Sequence, residues 1–465
     1  MPKERVVDVA IVGAGSAGLS AYREVVKAGL RPLLIEAGAH GTMCARVGCM
    51  PSKLLIAAAQ AAADARHASQ FGLRVGPVHV DGPAVMQRVR RERDRFVGFV
   101  LADVQAMPAG HRLDARVQFV APGLLRADDG QIVRAQRIIL ATGTEPVIPD
   151  SLKPLGKQAL VNDDVFEWHD LPRSVLVVGA GVIGVELGQA LARLGVRVRT
   201  LTRSDNFARV QDALIQDAAV ACLAPDLGLV RRARIMQVRC SGPQVEVTWA
   251  APEGPPTTER FDRVLATTGR HHTLAALALE RAGIEVDADG HPDLDPDTLQ
   301  IRGHPVFLAG DATGRHAIQH EASDDGHKAG RNAAAWPDLP ARSHRASLEV
   351  VFSDPQIMRV GLGGQAFDPE RMVIGQADYS RQGRSRVMLR NQGLLHVYMR
   401  RSDRRFLGAE MVGPDAEHVA HLLAWALQME LSVPDMLALP FYHPTIEEGV
   451  RTALRGAVSA ARAGR

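Results

Sequence analysis

Residues 6–18 read VVDVAIVGAGSAG, and residues 174–184 read SVLVVGAGVIG. Each is a short apolar run of strand length that ends in a Gly-x-Gly-x-x-Gly loop. The chain continues as LSAYREVVKAGL after the first loop and as VELGQALARLGV after the second, and both helical patterns lead to another apolar strand. Strand, glycine loop, helix and strand, occurring twice, read as the opening units of two dinucleotide-binding domains. Gly13 permits the tight turn, Gly15 lets the backbone approach a pyrophosphate, and Gly18 allows the helix to lie close to the strand. The pyrophosphate then meets free N–H groups at a helix N-terminus, where the dipole favours an anion. Gly179, Gly181 and Gly184 hold the same places in the second copy, with Val182 and Ile183 opening its helix.

What ends the second strand differs between the copies. Eighteen residues after Gly18 stands Glu36, a carboxylate placed to accept hydrogen bonds from ribose hydroxyls. Eighteen after Gly184 stands Thr202, followed by Arg203, with Arg209 six further on. Arginines in this place suit the 2′-phosphate of NADP; the alternative is a solvated loop in an arginine-rich chain. Two unlike dinucleotide sites in one chain suggest FAD and a nicotinamide coenzyme, NAD or NADP.

Directly after Glu36 comes GTMCARVGCMPSK, residues 41–53. Cys44 and Cys49 are close enough in sequence to form a disulfide if the turn between them is right, and a helix N-terminus with a nearby cation would favour a thiolate. No histidine or second cysteine pair lies nearby, so a metal site is a poor reading, and inert core cysteines are the other alternative. Cys222 and Cys240 have no such context and read as ordinary small apolar residues.

The other features are those of a globular chain. It has 465 residues, enough for two to four domains, and a formal charge of only +3 with both signs mixed along it, which gives no nucleic-acid footprint. No apolar run is long enough for a membrane span, and the charged start, Met1 to Asp8, does not look like a signal peptide, so the expected location is cytoplasmic. Four cysteines, two of them close together, suggest redox chemistry more than a structural disulfide framework. The strand VFLAGD, residues 306–311, has no glycine loop of its own and is expected to complete the first domain. Beyond Pro340 strand-like runs appear at Leu348–Phe352, Val387–Leu389 and Leu394–Met399, followed by a helical stretch from Asp415 to Met429. The fold class is therefore α/β with an α+β tail. Its expected parts are an FAD-binding domain at 1–150, an NAD(P)-binding domain at 151–270, a segment at 271–340 that completes the first, and a C-terminal domain at 341–465.

Residues 41–53, together with Ala141-Thr142-Gly143, Thr268-Gly269-Arg270, Leu308-Ala309-Gly310-Asp311 and His443-Pro444-Thr445-Ile446-Glu447-Glu448, resemble the class I pyridine nucleotide-disulfide oxidoreductases. The resemblance covers essentially the whole chain in order, and the Pro-Ser-Lys ending is closer to dihydrolipoyl dehydrogenase than to glutathione reductase. There are two departures. Family members usually have a second glycine before the first cysteine, where Gly41 here follows His40, and they often carry His where this chain has Phe441.

The resemblance implies that Cys44 exchanges with a dithiol substrate and that Cys49 meets the flavin. It places Lys53, one of only six lysines, near the flavin, paired with Glu186, which would otherwise read as a solvated helix acid. Asp311 would bind the ribityl or phosphate region, Gln319 would start a helix facing the flavin, Thr142 and Gly143 would close the FAD domain, and Gly269 would be among the cofactor-binding residues. His443 would be the acid/base and Glu448 its orienting carboxylate, although Thr445 to Glu448 also has the form of a helix capping box. The implied assembly is a homodimer, the tail being its interface domain, with His443 of one copy serving the cysteines of the other. The implied substrate is a small dithiol or a lipoylated protein supplied in trans. Reduction of glutathione disulfide with NADPH is the rival activity, and a non-catalytic subunit of a lipoyl complex is the rival of another class. The intact set of Cys44, Cys49 and His443 argues against the latter.

Overall fold

The computed structural model describes residues 4–315, 317–340 and 345–463. They form two compact units: one gathers the described residues of Met1–Leu54, Gln87–Val147 and Gly269–His344, the other those of Leu55–Met86, Ile148–Thr268 and Arg345–Arg465.

The first unit is built around the strand Glu4–Val12, flanked in parallel by Pro32–Glu36 and Ile132–Leu140. Val306–Leu308 joins the same sheet, parallel to Ile132–Leu140, and so extends the first sheet without founding another. A hairpin, Val117–Ala121 and Leu124–Ala127, pairs antiparallel onto the start of Ile132–Leu140. Ile11, Ile139 and Phe307 are fully buried, each stabilising the unit by roughly 1.5–3 kcal/mol. Helices Ser16–Lys27 and Gln319–Ala335 lie unusually close to each other. A Cβ at Gly326 would stand 2.1 Å from the Ala17 carbonyl oxygen, so that approach requires glycine.

The second unit holds a parallel sheet ordered Leu229–Val230, Arg197–Leu201, Ser174–Val178, Arg263–Ala266, Ala159–Val161. Ser174–Val178 is buried at every position, as a strand covered on both faces must be. The tail is a five-stranded antiparallel sheet, ordered Leu348–Val351, Gln356–Gly361, Phe406–Gly413, Leu394–Arg400, Met372–Asp378. Helices Ala416–Gln428 and Glu448–Ala463 cover it.

Two expectations from the sequence need correction. Val387–Leu389 is not a strand: it is the end of the short helix Gly383–Val387 and the turn after it. The Gln382 side chain caps that helix at the Ser385 amide, and the Ser385 hydroxyl donates to the Tyr379 carbonyl, so local side-chain bonds outweigh β propensity. Residues 55–86 group with the second unit, not with the rest of 1–150. There Arg193 bonds Gln60, and Arg390 pairs with Asp64.

Leu422, Trp425 and Met429 form an exposed apolar stripe at helical spacing on and just past Ala416–Gln428, with Trp425 66% exposed. A contiguous apolar stripe of this kind marks an interface. Trp425→Glu is expected to weaken self-association by at least about thirtyfold, the loss of one buried aromatic anchor. Light scattering over a dilution series checks this, and a variant as dimeric as the parent would remove the stripe from the interface. No helix among the described residues is long and apolar enough to cross a membrane.

Candidate active site

Cys44 sits in the first turn of the short helix Met43–Val47, and Cys49 is the first residue of the helix Cys49–His67. The turn leading to Cys44 places Gly41 at φ 116° and Thr42 at φ 57°. A β-branched residue at positive φ is strained, and Thr42 is held there as N-cap, its hydroxyl accepting the Ala45 N–H at 3.2 Å. The two sulfurs interact as free thiols. A hydrogen bond to the Cys49 sulfur, then burial and the charge of Cys49, push the Cys44 thiol up, while the Cys49 N–H and the Lys53 ammonium pull the other way. Cys49 stands at the N-terminus of a 19-residue helix, where the dipole favours a thiolate.

The two glycine loops obey the same steric rules. A Cβ at Gly13 would stand 2.2 Å from the Ala141 oxygen, and one at Gly179 would stand 2.5 Å from the Thr267 oxygen. Gly18 and Gly184 are closed in the same way, by the oxygens of Gly13 and Gly179 at 1.8 and 2.1 Å. Gly15 and Gly181 face open space, which is where a pyrophosphate would lie. Glu36 accepts the Ala14 N–H at 2.7 Å and the Gly38 N–H at 2.8 Å; each oxygen keeps a second lone pair for a ribose hydroxyl. The Thr142 hydroxyl is buried with no partner among the described residues, and burial pushes the Asp311 carboxyl up despite the charge of Arg270 and the hydroxyl of Thr144. An unsatisfied hydroxyl and a desolvated acid beside an open glycine cradle fit a polar, hydroxyl-rich ligand such as FAD. Gly143 takes φ 70° and Gly269 φ 126°, conformations that favour glycine. Gln319 opens the helix Gln319–Ala335 and is exposed.

In the second loop Thr202 is buried, and Arg203 and Arg209 are exposed. The loop's one carboxylate, Asp205, is turned to Arg231 and Arg232, which leaves its charge neutralised. Glu186 is buried on Val182–Arg193 and accepts the Phe352 N–H at 2.9 Å, so it is no solvated helix acid.

His443 is exposed, and its Nδ1 lies 2.9 Å from Glu448 Oε2. Burial opposes ionisation of Glu448, yet the bonds from His443 and the Thr445 amide, with the charges of His443 and Arg451, hold its carboxyl below the usual range. A carboxylate on Nδ1 fixes that nitrogen as N–H and leaves Nε2 as the proton acceptor. The capping box is half made. The Thr445 amide donates to Glu448 at 3.4 Å, but the Thr445 hydroxyl donates to the Tyr442 carbonyl and the helix starts only at Glu448. Among the described residues no three His, Cys, Asp or Glu side chains gather as metal ligands would.

Sequence reasoning missed several contributors. Arg270 bonds the Thr144 hydroxyl and carbonyl, each at 2.9 Å, and reaches the Met43 sulfur at 3.0 Å, tying the turn before Cys44 to the strand Thr144–Pro146, which pairs with Arg270–His272. Asp325 accepts the Gly310 N–H at 3.2 Å, and burial pushes its carboxyl up to about 6. Arg451 holds the other oxygen of Glu448 at 3.1 Å; its place three residues on, within one helical turn, is the signal that could have found it.

Comparison with known proteins shows the family. Residues 7–326 match the pyridine nucleotide-disulphide oxidoreductase family and residues 348–454 match the dimerisation domain of the same family. The chain belongs to that family: a flavin-dependent disulfide oxidoreductase with an α/β fold and a C-terminal dimerisation domain, using FAD and a nicotinamide coenzyme. It is 27% identical over 449 residues to dihydrolipoyl dehydrogenase of Chlamydia pneumoniae, covering 95% of both chains. Its identity to mycothione reductase of Mycobacterium tuberculosis is 28% over 466 residues, covering 97% of this chain and 99% of that one. The fold is similar to that of the HOCl-induced flavoprotein disulfide reductase RclA from Escherichia coli in its Cu(II) complex, with a TM-score of 0.83 at 22% identity over 98% and 99% of the two chains.

Proposed function

We propose that this chain is a dihydrolipoyl dehydrogenase-like enzyme that moves electrons between a small dithiol and a nicotinamide coenzyme through a Cys44–Cys49 disulfide. The observation that carries the reading is the pair of interacting thiols, Cys44 and Cys49, with Cys49 opening its helix and the Lys53 charge acting on Cys44. His443, contributed by the second copy of a homodimer, takes the proton of the incoming dithiol at Nε2 while Glu448 steadies the cationic ring. The substrate thiolate attacks Cys44 Sγ, the Cys44–Cys49 bond breaks, and Cys49 leaves as a thiolate. The second substrate thiol, deprotonated in turn, attacks the substrate sulfur of the mixed disulfide and releases Cys44, which takes up the proton. Lipoamide-type disulfide leaves and the reduced pair remains. Bound FAD, held by Gly13, Gly15, Gly18, Glu36, Thr142 and Asp311, supplies the two-electron relay to the coenzyme. Turnover with lipoamide, glutathione disulfide and a quinone, each with NADH and NADPH, tests the substrate class. Activity confined to the quinone would overturn a disulfide substrate.

The exposed Arg203 and Arg209 favour a second element of the reading: NADP(H) is used at least as well as NAD(H). A guanidinium grips a phosphate bidentately, and a charge-assisted contact contributes roughly 1.5–3 kcal/mol. Arg203→Glu is therefore expected to lower kcat/KM for NADPH by about tenfold to a few hundredfold while sparing NADH. A strong NADH preference in the parent, unchanged by the substitution, would mean that the arginines face solvent only.

A further inference from the structure

The coenzyme loop is held by the tail sheet of the same unit. Ala208 and Arg209 are consecutive residues at positive φ, 51° and 60°, a turn that non-glycine residues adopt only when their surroundings enforce it. Phe207, Ala208 and Val210 are buried in one apolar cluster with Val351, Ile357 and Val412 of the tail sheet, and the Ala208 amide donates to the Ala180 carbonyl inside the glycine loop at 2.8 Å. Where the loop ends, Glu410 accepts the amides of Gln211 and Asp212 on one oxygen, at 2.9 and 3.1 Å, and that of Gly364 on the other, at 2.8 Å. Asp212 caps the next helix at Leu214 and Ile215 with one oxygen. Its other oxygen accepts from His396 Nδ1 at 2.8 Å and from the Tyr398 hydroxyl at 2.9 Å.

All four side chains, Asp212, His396, Tyr398 and Glu410, are more than nine-tenths buried. His396 stands directly opposite Glu410 in the sheet, and Tyr398 follows two residues on, so they share one face. Burial alone would raise the Asp212 carboxyl, but the bonds from His396 and Tyr398 bring it down to about 2. The group is built as a fixed acceptor, charged at any working pH.

We propose that Asp212, His396, Tyr398 and Glu410 are positioning residues for coenzyme selection: anchored in the dimerisation domain, they fix the end of the strained turn that presents Arg209 to a 2′-phosphate. The proposal rests on the reading of Arg203 and Arg209 as phosphate contacts. It makes the tail domain a determinant of coenzyme choice as well as of assembly.

The test uses the FAD-loaded enzyme and 2′,5′-ADP as probe, with 5′-AMP as the control that lacks the 2′-phosphate, read by calorimetry. Tyr398→Phe keeps the volume and removes one bond to Asp212; His396→Gln is the second variant, and the two are combined. The combined variant is expected to bind 2′,5′-ADP at least roughly tenfold more weakly and to show a matching rise in KM for NADPH. Binding of 5′-AMP, KM for NADH and KM for the disulfide should stay where they were. Equal losses with both probes would overturn the proposal, since that is what a merely structural role gives, and so would unchanged 2′,5′-ADP affinity in the combined variant. Arg209→Ala separates the two ideas. If it weakens 2′,5′-ADP binding while the clamp variants do not, the phosphate reading stands and the clamp falls. If the parent binds 2′,5′-ADP no better than 5′-AMP, the phosphate reading falls and takes the clamp with it.

Discussion

Cys44→Ser enzyme is expected to purify yellow, with its flavin content unchanged, and to have lost dithiol turnover by at least roughly a thousandfold. The serine hydroxyl can still donate to the Cys49 sulfur, so the local fold should survive, but oxygen cannot form the mixed disulfide that exchange requires. Cys49→Ser should lose turnover as well, and in addition the long-wavelength absorbance of a thiolate stacked on flavin. The difference follows from the place of Cys49, the first residue of its helix, where the dipole favours a thiolate. Stopped-flow spectra of the two variants reduced with NADPH check the assignment. Full lipoamide turnover by Cys44→Ser would remove Cys44 from the reaction, and a long-wavelength band that survives Cys49→Ser would exchange the two roles.

His443→Gln should lower kcat for dithiol oxidation by about a hundredfold to ten-thousandfold, the usual contribution of a positioned acid/base. The Nδ1 contact with Glu448 gives a second test. Glu448→Gln keeps the size of the side chain but not the charge that orients the His443 ring, so it should also lower kcat, by less than His443→Gln. The larger prediction concerns assembly. Inactive Cys44→Ser chains mixed with inactive His443→Gln chains should regain part of the parental activity after subunit exchange, because a mixed dimer contains one site with both residues intact. Absence of recovery, with exchange verified by tagged subunits, would show that each chain supplies its own His443.

The fold was legible where backbone sterics demand a particular residue. Gly13, Gly18, Gly179 and Gly184 each stand where a Cβ would collide with backbone oxygen, and that requirement shows in any sequence that meets it. The spacing from the third glycine to Glu36 or to Thr202-Arg203 was legible for a related reason, because one helix and one strand have a fixed length. The tail was less so. Residues 387–389 have strand-like side chains, and only the capping by Gln382 and the bonds of Ser385 turn them into a helix end.

Within the site, the residue types at 44, 49, 443 and 448 announced chemistry, but their supports did not. The Arg270 contacts with Thr144 and Met43, and the Asp212 contacts with His396 and Tyr398, join positions more than a hundred residues apart. No local period records them. Thr445 shows the converse: its spacing to Glu448 matches a capping box, while the hydroxyl goes to Tyr442 instead. The carboxylate half of the box is still made, since the Thr445 amide reaches Glu448, but the hydroxyl half is lost.

The central claim is that Cys44 and Cys49 form a redox-active pair in electronic contact with the flavin. An anaerobic reductive titration of the oxidised enzyme with dithionite tests it most directly. The account predicts that the parent takes up one two-electron equivalent beyond what its flavin consumes, and that Cys44→Ser takes up only the flavin's share. A parent enzyme fully reduced by the flavin's share alone would contradict it.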